Sequence, residues 1–160
     1  MNFILLVKYV PDVSRITDSS FDSETGNLRR ASLPGITNPE DISAISLAKR
    51  IADRKADGSD KFIALTMGPA PASKALYEAL SLAADKAFHL QNSRFAGADT
   101  WATAEILTKA IKKIAREEFG DEPYAVAGGM QSCDGDTAQV LPQTAAALNL
   151  PIISYAFDGD

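Results

Sequence analysis

The chain reads as an α/β protein, a parallel sheet covered by helices on both faces, and two observations predict it. Apolar runs of strand length recur at residues 3–10, 61–67, 86–90, 124–128 and 151–155, and segments of helical apolar period lie between them. The first run is nearly continuous rather than alternating, which is the pattern of a strand buried on both faces. Strands and helices in this alternation build right-handed crossover units and hence a parallel sheet.

The first run, Phe3-Ile4-Leu5-Leu6-Val7-Lys8-Tyr9-Val10, closes at Pro11-Asp12. A long connection from Pro11 to Thr37 follows, and within it Thr25-Gly26-Asn27, at the centre of Phe21 to Leu28, is suited to reverse a hairpin. Asn38 is placed to cap the first helix and Pro39 to open it; its stripe is Ala44, Leu47, Ala48, Ile51 and Ala52, and Asp57-Gly58 ends it. The second strand stops at Gly68-Pro69, after which Ala72, Leu76, Ala79, Leu80 and Ala83 form a second stripe. Gly97-Ala98-Asp99-Thr100 separates the third strand from a helix carrying Trp101, Ala104, Leu107, Ile111 and Ile114. A fourth helix holds Leu141, Ala145 and Leu148, and the fifth strand is expected at Pro151 to Tyr155. The expectation is one domain over residues 1–160, with an excursion at 11–37.

Composition excludes several functions. With 16 basic and 21 acidic residues the net charge is −5, so the clustered cations needed to hold a nucleic-acid backbone are missing. One cysteine, Cys133, and one histidine, His89, allow neither an internal disulfide nor a structural zinc site, which suits a reducing cytoplasm. The amino-terminal apolar run is far too short to span a bilayer, and no basic region precedes it.

In parallel sheets ligands sit beyond the carboxyl ends of the strands. The loops to search begin at Val10, Met67, Leu90 and Gly128, and the last carries the most chemistry. Gly128-Gly129-Met130-Gln131-Ser132-Cys133-Asp134-Gly135-Asp136-Thr137-Ala138-Gln139 leaves a buried strand and leads into a helix, so its N–H groups can converge on a phosphate. Gly128 and Gly129 let a flat ring approach, and a large side chain at 129 is expected to block that ring with the fold intact. Pro142 requires the helix to start near Gln139 or to kink. The loop contains no basic residue, which favours a monophosphate, or a diphosphate facing solvent. The competing reading of Asp-Gly-Asp is an ordinary turn before a helix cap.

Other conspicuous residues read more plainly. His89 is expected to be structural, Cys133 an incidental thiol, and Trp101 a core or interface ring. Lys109, Lys112, Lys113 and Arg116 share their helix with Glu105, Glu117 and Glu118, the pattern of a solvated face. Asp134 and Asp136 are expected to shape a turn and bond a ribose rather than bind magnesium.

Taken in order, Val7-Lys8-Tyr9-Val10-Pro11-Asp12, Asn38-Pro39-Glu40-Asp41, Met67-Gly68-Pro69-Ala70, Phe95 to Thr100 and Gln131 to Val140 resemble the beta subunit of electron transfer flavoprotein, from residue 2 to about 155. Asp134-Gly135-Asp136-Thr137-Ala138-Gln139-Val140 is the most specific part of the resemblance. It implies a Rossmann-like, adenine-nucleotide-binding three-layer sandwich whose five-stranded parallel sheet has the order 3-2-1-4-5. It also implies AMP or FAD as the cofactor, and an alpha subunit through which electrons pass from dehydrogenases, with no turnover by this chain itself. Carried over by position, Leu6, Val7, Lys8, Asn38, Met67, Gly68, Gly129, Met130, Gln131 and Asp134 would surround the adenosine. Thr137, Ala138, Gln139 and Val140 would hold the phosphate. Met130 stands where the family commonly has Arg or Lys, Leu141 where Gly often precedes the proline, and the carboxyl-terminal segment by which family members reach their partners is absent from this sequence, which is expected to be either a piece of a longer subunit or a natural short form. A regulatory module similar to universal stress proteins is the alternative, although their spaced glycine loop is missing. A ligase similar to ATP pyrophosphatases ranks below it, because Tyr9-Val10-Pro11-Asp12 supplies no Ser-Gly-Gly loop.

Overall fold

A computed structural model describes residues 1–26, 33–54, 58–120 and 122–156. Its centre is β1 (Asn2–Leu6), all five residues of which are buried. β1 pairs in parallel with β4 (Phe62–Met67) on one side and β6 (Tyr124–Ala127) on the other, and β5 (Lys86–Leu90) adds beyond β4. The sheet order β5-β4-β1-β6 is 3-2-1-4 of the expected series. Alternation along the strands divides the core in two. Phe3, Leu5, Phe62 and Ala64 face Ile45 and Ala48 of α1 (Pro39–Asp53) and Ala75, Leu76 and Ala79 of α2 (Ser73–Leu82). Ile4, Leu6, Ile63 and Leu65 face Leu107, Ile111 and Ile114 of α3 (Thr100–Ile114), with Val140, Leu141 and Leu148 of α4 (Val140–Leu148) packed on the same cluster.

The first predicted strand divides. After Leu6 the chain leaves the parallel sheet, and β2 (Tyr9–Pro11) pairs antiparallel with β3 (Gly35–Thr37). This pair brackets the long connection. Of the hairpin expected around Thr25-Gly26-Asn27, Asp22 to Gly26 forms a turn, with Gly26 N–H bonded to the Asp22 carbonyl and φ +69° at Gly26, and Asn27 and Leu28 lie outside the described residues. Asp57, the expected end of α1, lies outside them too.

The fifth strand is not formed. Residues 151–155 pair with no strand among the described residues, leaving Ile153 86% and Tyr155 81% exposed. Asn149, in the left-handed conformation, ends α4; Pro151 then brings no N–H to a ladder, and Tyr155 turns to φ +58°. β6 consequently stands at the edge of the sheet. Among the described residues no helix is long and apolar enough to cross a membrane.

Candidate functional site

The parallel strands point their carboxyl ends at one edge, where the α1 amino terminus meets the loops after β1 and β6. Asn38 is buried at the cap of α1; its backbone N–H bonds the Lys8 carbonyl, 2.8 Å, and its side-chain amide donates to the Gln131 carbonyl, 2.8 Å. One turn on, Asp41 accepts the Lys8 amide on Oδ2 at 2.7 Å and the Gly129 amide on Oδ1 at 2.8 Å. Glu40 Oε2 accepts the Gln131 amide at 2.8 Å. The Pro39-Glu40-Asp41 turn is thus bonded to both loops, with its carboxylates at the positive end of the α1 dipole. Burial pushes the Asp41 carboxyl up to about 6, against the opposing hydrogen bonds from Gly129, Lys8 and Asn38.

Lys8 reaches across to the loop after β6. Its ammonium donates to Ser132 Oγ at 2.9 Å and to Asp134 Oδ1 at 2.7 Å, and Ser132 Oγ also bonds Asp134 Oδ1 at 2.8 Å. Burial by itself would raise the Asp134 carboxyl, but the bonds from Lys8 and Ser132 and the nearby charge outweigh it and hold the group below the ordinary carboxylate range. The expectation that no cation stands beside this loop is therefore corrected: the cation comes from Lys8 in the loop after β1, 126 residues away from Asp134 in sequence.

Beyond the turn at 132–136, Asp136 has φ +49° and Ala138 φ +53°, with Thr137 between them. Left-handed residues alternating along a loop turn successive N–H groups toward one side, the geometry of an anion cradle. The amides of Thr137, Ala138 and Gln139 meet no acceptor among the described residues. Val140 then opens α4, so Pro142 falls in the first turn, where its missing N–H costs nothing. Alanine pays a steric penalty in this conformation, so Ala138→Gly is expected to raise stability by about 1 kcal/mol, read as a higher denaturant midpoint at unchanged slope.

Of the predicted site residues, the structure brings together Leu6, Val7, Lys8, Asn38, Gly129, Gln131 and Asp134. Leu6 and Val7 are buried, and the Val7 carbonyl accepts the Thr66 hydroxyl at 2.6 Å. Met67 ends β4 and Gly68 follows it, with His89 Nε2 2.9 Å from the Gly68 carbonyl oxygen. Met130 is half-buried between Gly129 and Gln131. Thr137 and Gln139 are exposed, and Ala138 and Val140 half-buried. A Cβ at Gly129 would lie 2.6 Å from Glu40 Cβ and 2.8 Å from the Glu40 carbonyl carbon, so the glycine admits the backbone of α1, and the expectation that a large side chain there leaves the fold intact is corrected.

Sequence reasoning missed Glu40, Asp41 and Ser132 as site residues. The available signal was two carboxylates directly after Asn38-Pro39, which also reads as ordinary helix-dipole pairing. Trp101, 70% exposed, is not a core residue. Lys109 pairs with Glu105 and Arg116 with Glu117, as a solvated face requires. Among the described residues no acidic, histidine or cysteine cluster has the makings of a metal site. An open cavity of about 470 Å³ lies elsewhere, between the β2–β3 pair and α2, and is lined by Tyr9, Ile36, Ile42, Lys74 and Glu78. Of its polar groups, the Thr37 hydroxyl bonds Glu78 and the Lys74 ammonium lies over the Tyr9 ring.

Residues 25–158 match the electron transfer flavoprotein domain family. The chain is 43% identical over 155 residues to the electron transfer flavoprotein subunit beta of Thermoanaerobacterium thermosaccharolyticum, covering 97% of this chain and 55% of that protein. It is 38% identical over 158 residues to the caffeyl-CoA reductase-Etf complex subunit CarD of Acetobacterium woodii, covering 99% and 56%. It is 38% identical over 155 residues to protein FixA of Sinorhizobium fredii, covering 97% and 52%. The chain spans about half the length of these curated relatives.

Proposed function

Because this chain belongs to the electron transfer flavoprotein domain family, we propose that it acts as the nucleotide-binding portion of a beta-type subunit. In this reading it binds the AMP moiety common to AMP and FAD at the carboxyl edge of its sheet and works through an alpha-type partner that receives electrons from dehydrogenases, with no turnover of its own. The observation that carries the reading is the turn at Asp136 to Ala138 before α4, where the amides of Thr137, Ala138 and Gln139 meet no acceptor among the described residues, beside a loop tied to Lys8 and Asn38. The residues fit the group. Three N–H donors without an acceptor among the described residues and the α4 amino terminus suit one phosphate, Lys8 supplies a cation to the same loop, and Asn38 and Asp134 hold the loop's backbone and that cation in place. A bound FAD would bring redox chemistry of its own, whereas AMP would serve only structure. The protein's part is to hold the phosphate by backbone donors and to keep the loops after β1 and β6 in register.

Denaturing the purified protein and separating the supernatant by chromatography tests this. AMP or FAD in near-stoichiometric amount is the expected result. Protein that is empty and also ignores added AMP, ADP, ATP and FAD in calorimetric titration contradicts it.

A further inference from the structure

The hydrogen bonds made by the first turn of α1 have an unusual direction. An acidic residue in such a turn ordinarily faces solvent or caps its own helix. Here Asp41 is buried to 5% exposure and spends both carboxylate oxygens on amides of two other segments, Lys8 after β1 and Gly129 after β6. Glu40 takes the amide of Gln131, and Asn38 takes the Gln131 carbonyl, so the loop after β6 is gripped at three backbone groups. Neither segment has a ladder partner at these groups, because β1 ends at Leu6 and β6 at Ala127. α1 itself is anchored in the core by Ile45 and Ala48.

We propose that Glu40 and Asp41 are positioning residues, a carboxylate clamp that transmits the fixed position of α1 to the two loops at the carboxyl edge and so sets their spacing. The bearing of the clamp on nucleotide binding rests on the function proposed above; its hold on the loops does not. The charged groups around Asp41 are Glu40 on its own turn, Lys8 in the loop after β1, and Asp134, which holds the Lys8 ammonium. Protonating Asp41 turns one acceptor oxygen into a donor that faces another donor, so one of the two amides must lose its partner. The clamp is therefore closed when Asp41 is ionised and half-released when it is neutral.

Amide hydrogen exchange followed by NMR tests the clamp in nucleotide-free protein. In Asp41→Asn, which presents one N–H₂ to two donors, exchange at Lys8 or Gly129 is expected to accelerate at least about tenfold, while Ile4 and Leu65 in the sheet keep wild-type protection. In Glu40→Ala the same acceleration is expected at Gln131, and this variant decides the matter if Asp41→Asn does not fold. Wild-type protection at Lys8 and Gly129 should also drop on going from about pH 7 to about pH 5, corrected for intrinsic exchange, and the Asn variant should lack that drop. AMP affinity in Asp41→Asn should fall at least about tenfold. Unchanged protection of the loop amides in both variants overturns the proposal, as does accelerated exchange with wild-type AMP affinity. A wild-type protein that shows the expected exchange pattern and binds neither AMP nor FAD retires the nucleotide reading and leaves the clamp standing.

Discussion

An alanine in place of Gly129 is expected to lower stability by about 2 to 3 kcal/mol and to weaken AMP retention with it. The added Cβ would sit 2.6 Å from Glu40 Cβ, 2.7 Å from Asp41 Oδ1 and 2.8 Å from the Glu40 carbonyl carbon. Two of these three neighbours cannot swing aside, since a helical backbone and its Cβ move only with the helix, and α1 is fixed by Ile45 and Ala48 in the core. Either α1 shifts, at the cost of overpacking, or the strand end retreats and the Gly129 N–H loses Asp41. A buried amide without its acceptor costs about 1 to 3 kcal/mol, so the two routes carry similar penalties. Gly135→Ala in the same loop is the control. Its Cβ would meet only Lys8 Nζ and Ser132 Oγ, both at 3.7 Å, and its effect should stay within about 0.5 kcal/mol. Chemical denaturation of both variants reads the difference.

The second large effect is a pH dependence of stability that belongs to Asp41. Burial raises its folded-state value from 3.8 to about 6. The folded protein therefore holds the proton more tightly than the unfolded chain does. The stability this contributes is fully present below 3.8 and is lost as the pH rises through about 6. A displacement of that size corresponds to about 3 kcal/mol. Wild type should thus lose about 2 kcal/mol relative to Asp41→Asn between about pH 4 and about pH 7, since the amide has no proton to release. Urea denaturation of the two proteins at a series of pH values measures it. A constant difference across that range would show that Asp41 titrates as an ordinary surface carboxylate.

What the sequence made legible follows from what hydrophobic period reports. Period records burial, and so β1, β4, β5 and β6 and all four helices fall where apolar runs and stripes predict, with Asn38-Pro39 opening α1 and Asp99 capping α3. It does not record partners. The β2–β3 pair was missed because Gly35-Ile36-Thr37 is too short to show alternation, and its antiparallel register depends on Tyr9 and Pro11 across the long connection. The fifth run is apolar enough for a strand, yet the conformations of Asn149 and Tyr155 keep it from the edge of β6. At the carboxyl edge, the loop that bears the left-handed residues was legible from its Gly, Asp and Thr content. The bonds that hold it were not, because Lys8 to Asp134 and Gly129 to Asp41 span 126 and 88 residues and leave no trace in local spacing.

The most direct measurement of the central claim is amide chemical-shift mapping of the isotope-labelled protein during titration with AMP. The amides of Thr137, Ala138, Gln139 and Val140 are expected to shift most, with Lys8 and Gly68 following, while the Tyr9–Lys74 cavity stays silent. Shifts confined to that cavity, or none at saturating AMP, would contradict it.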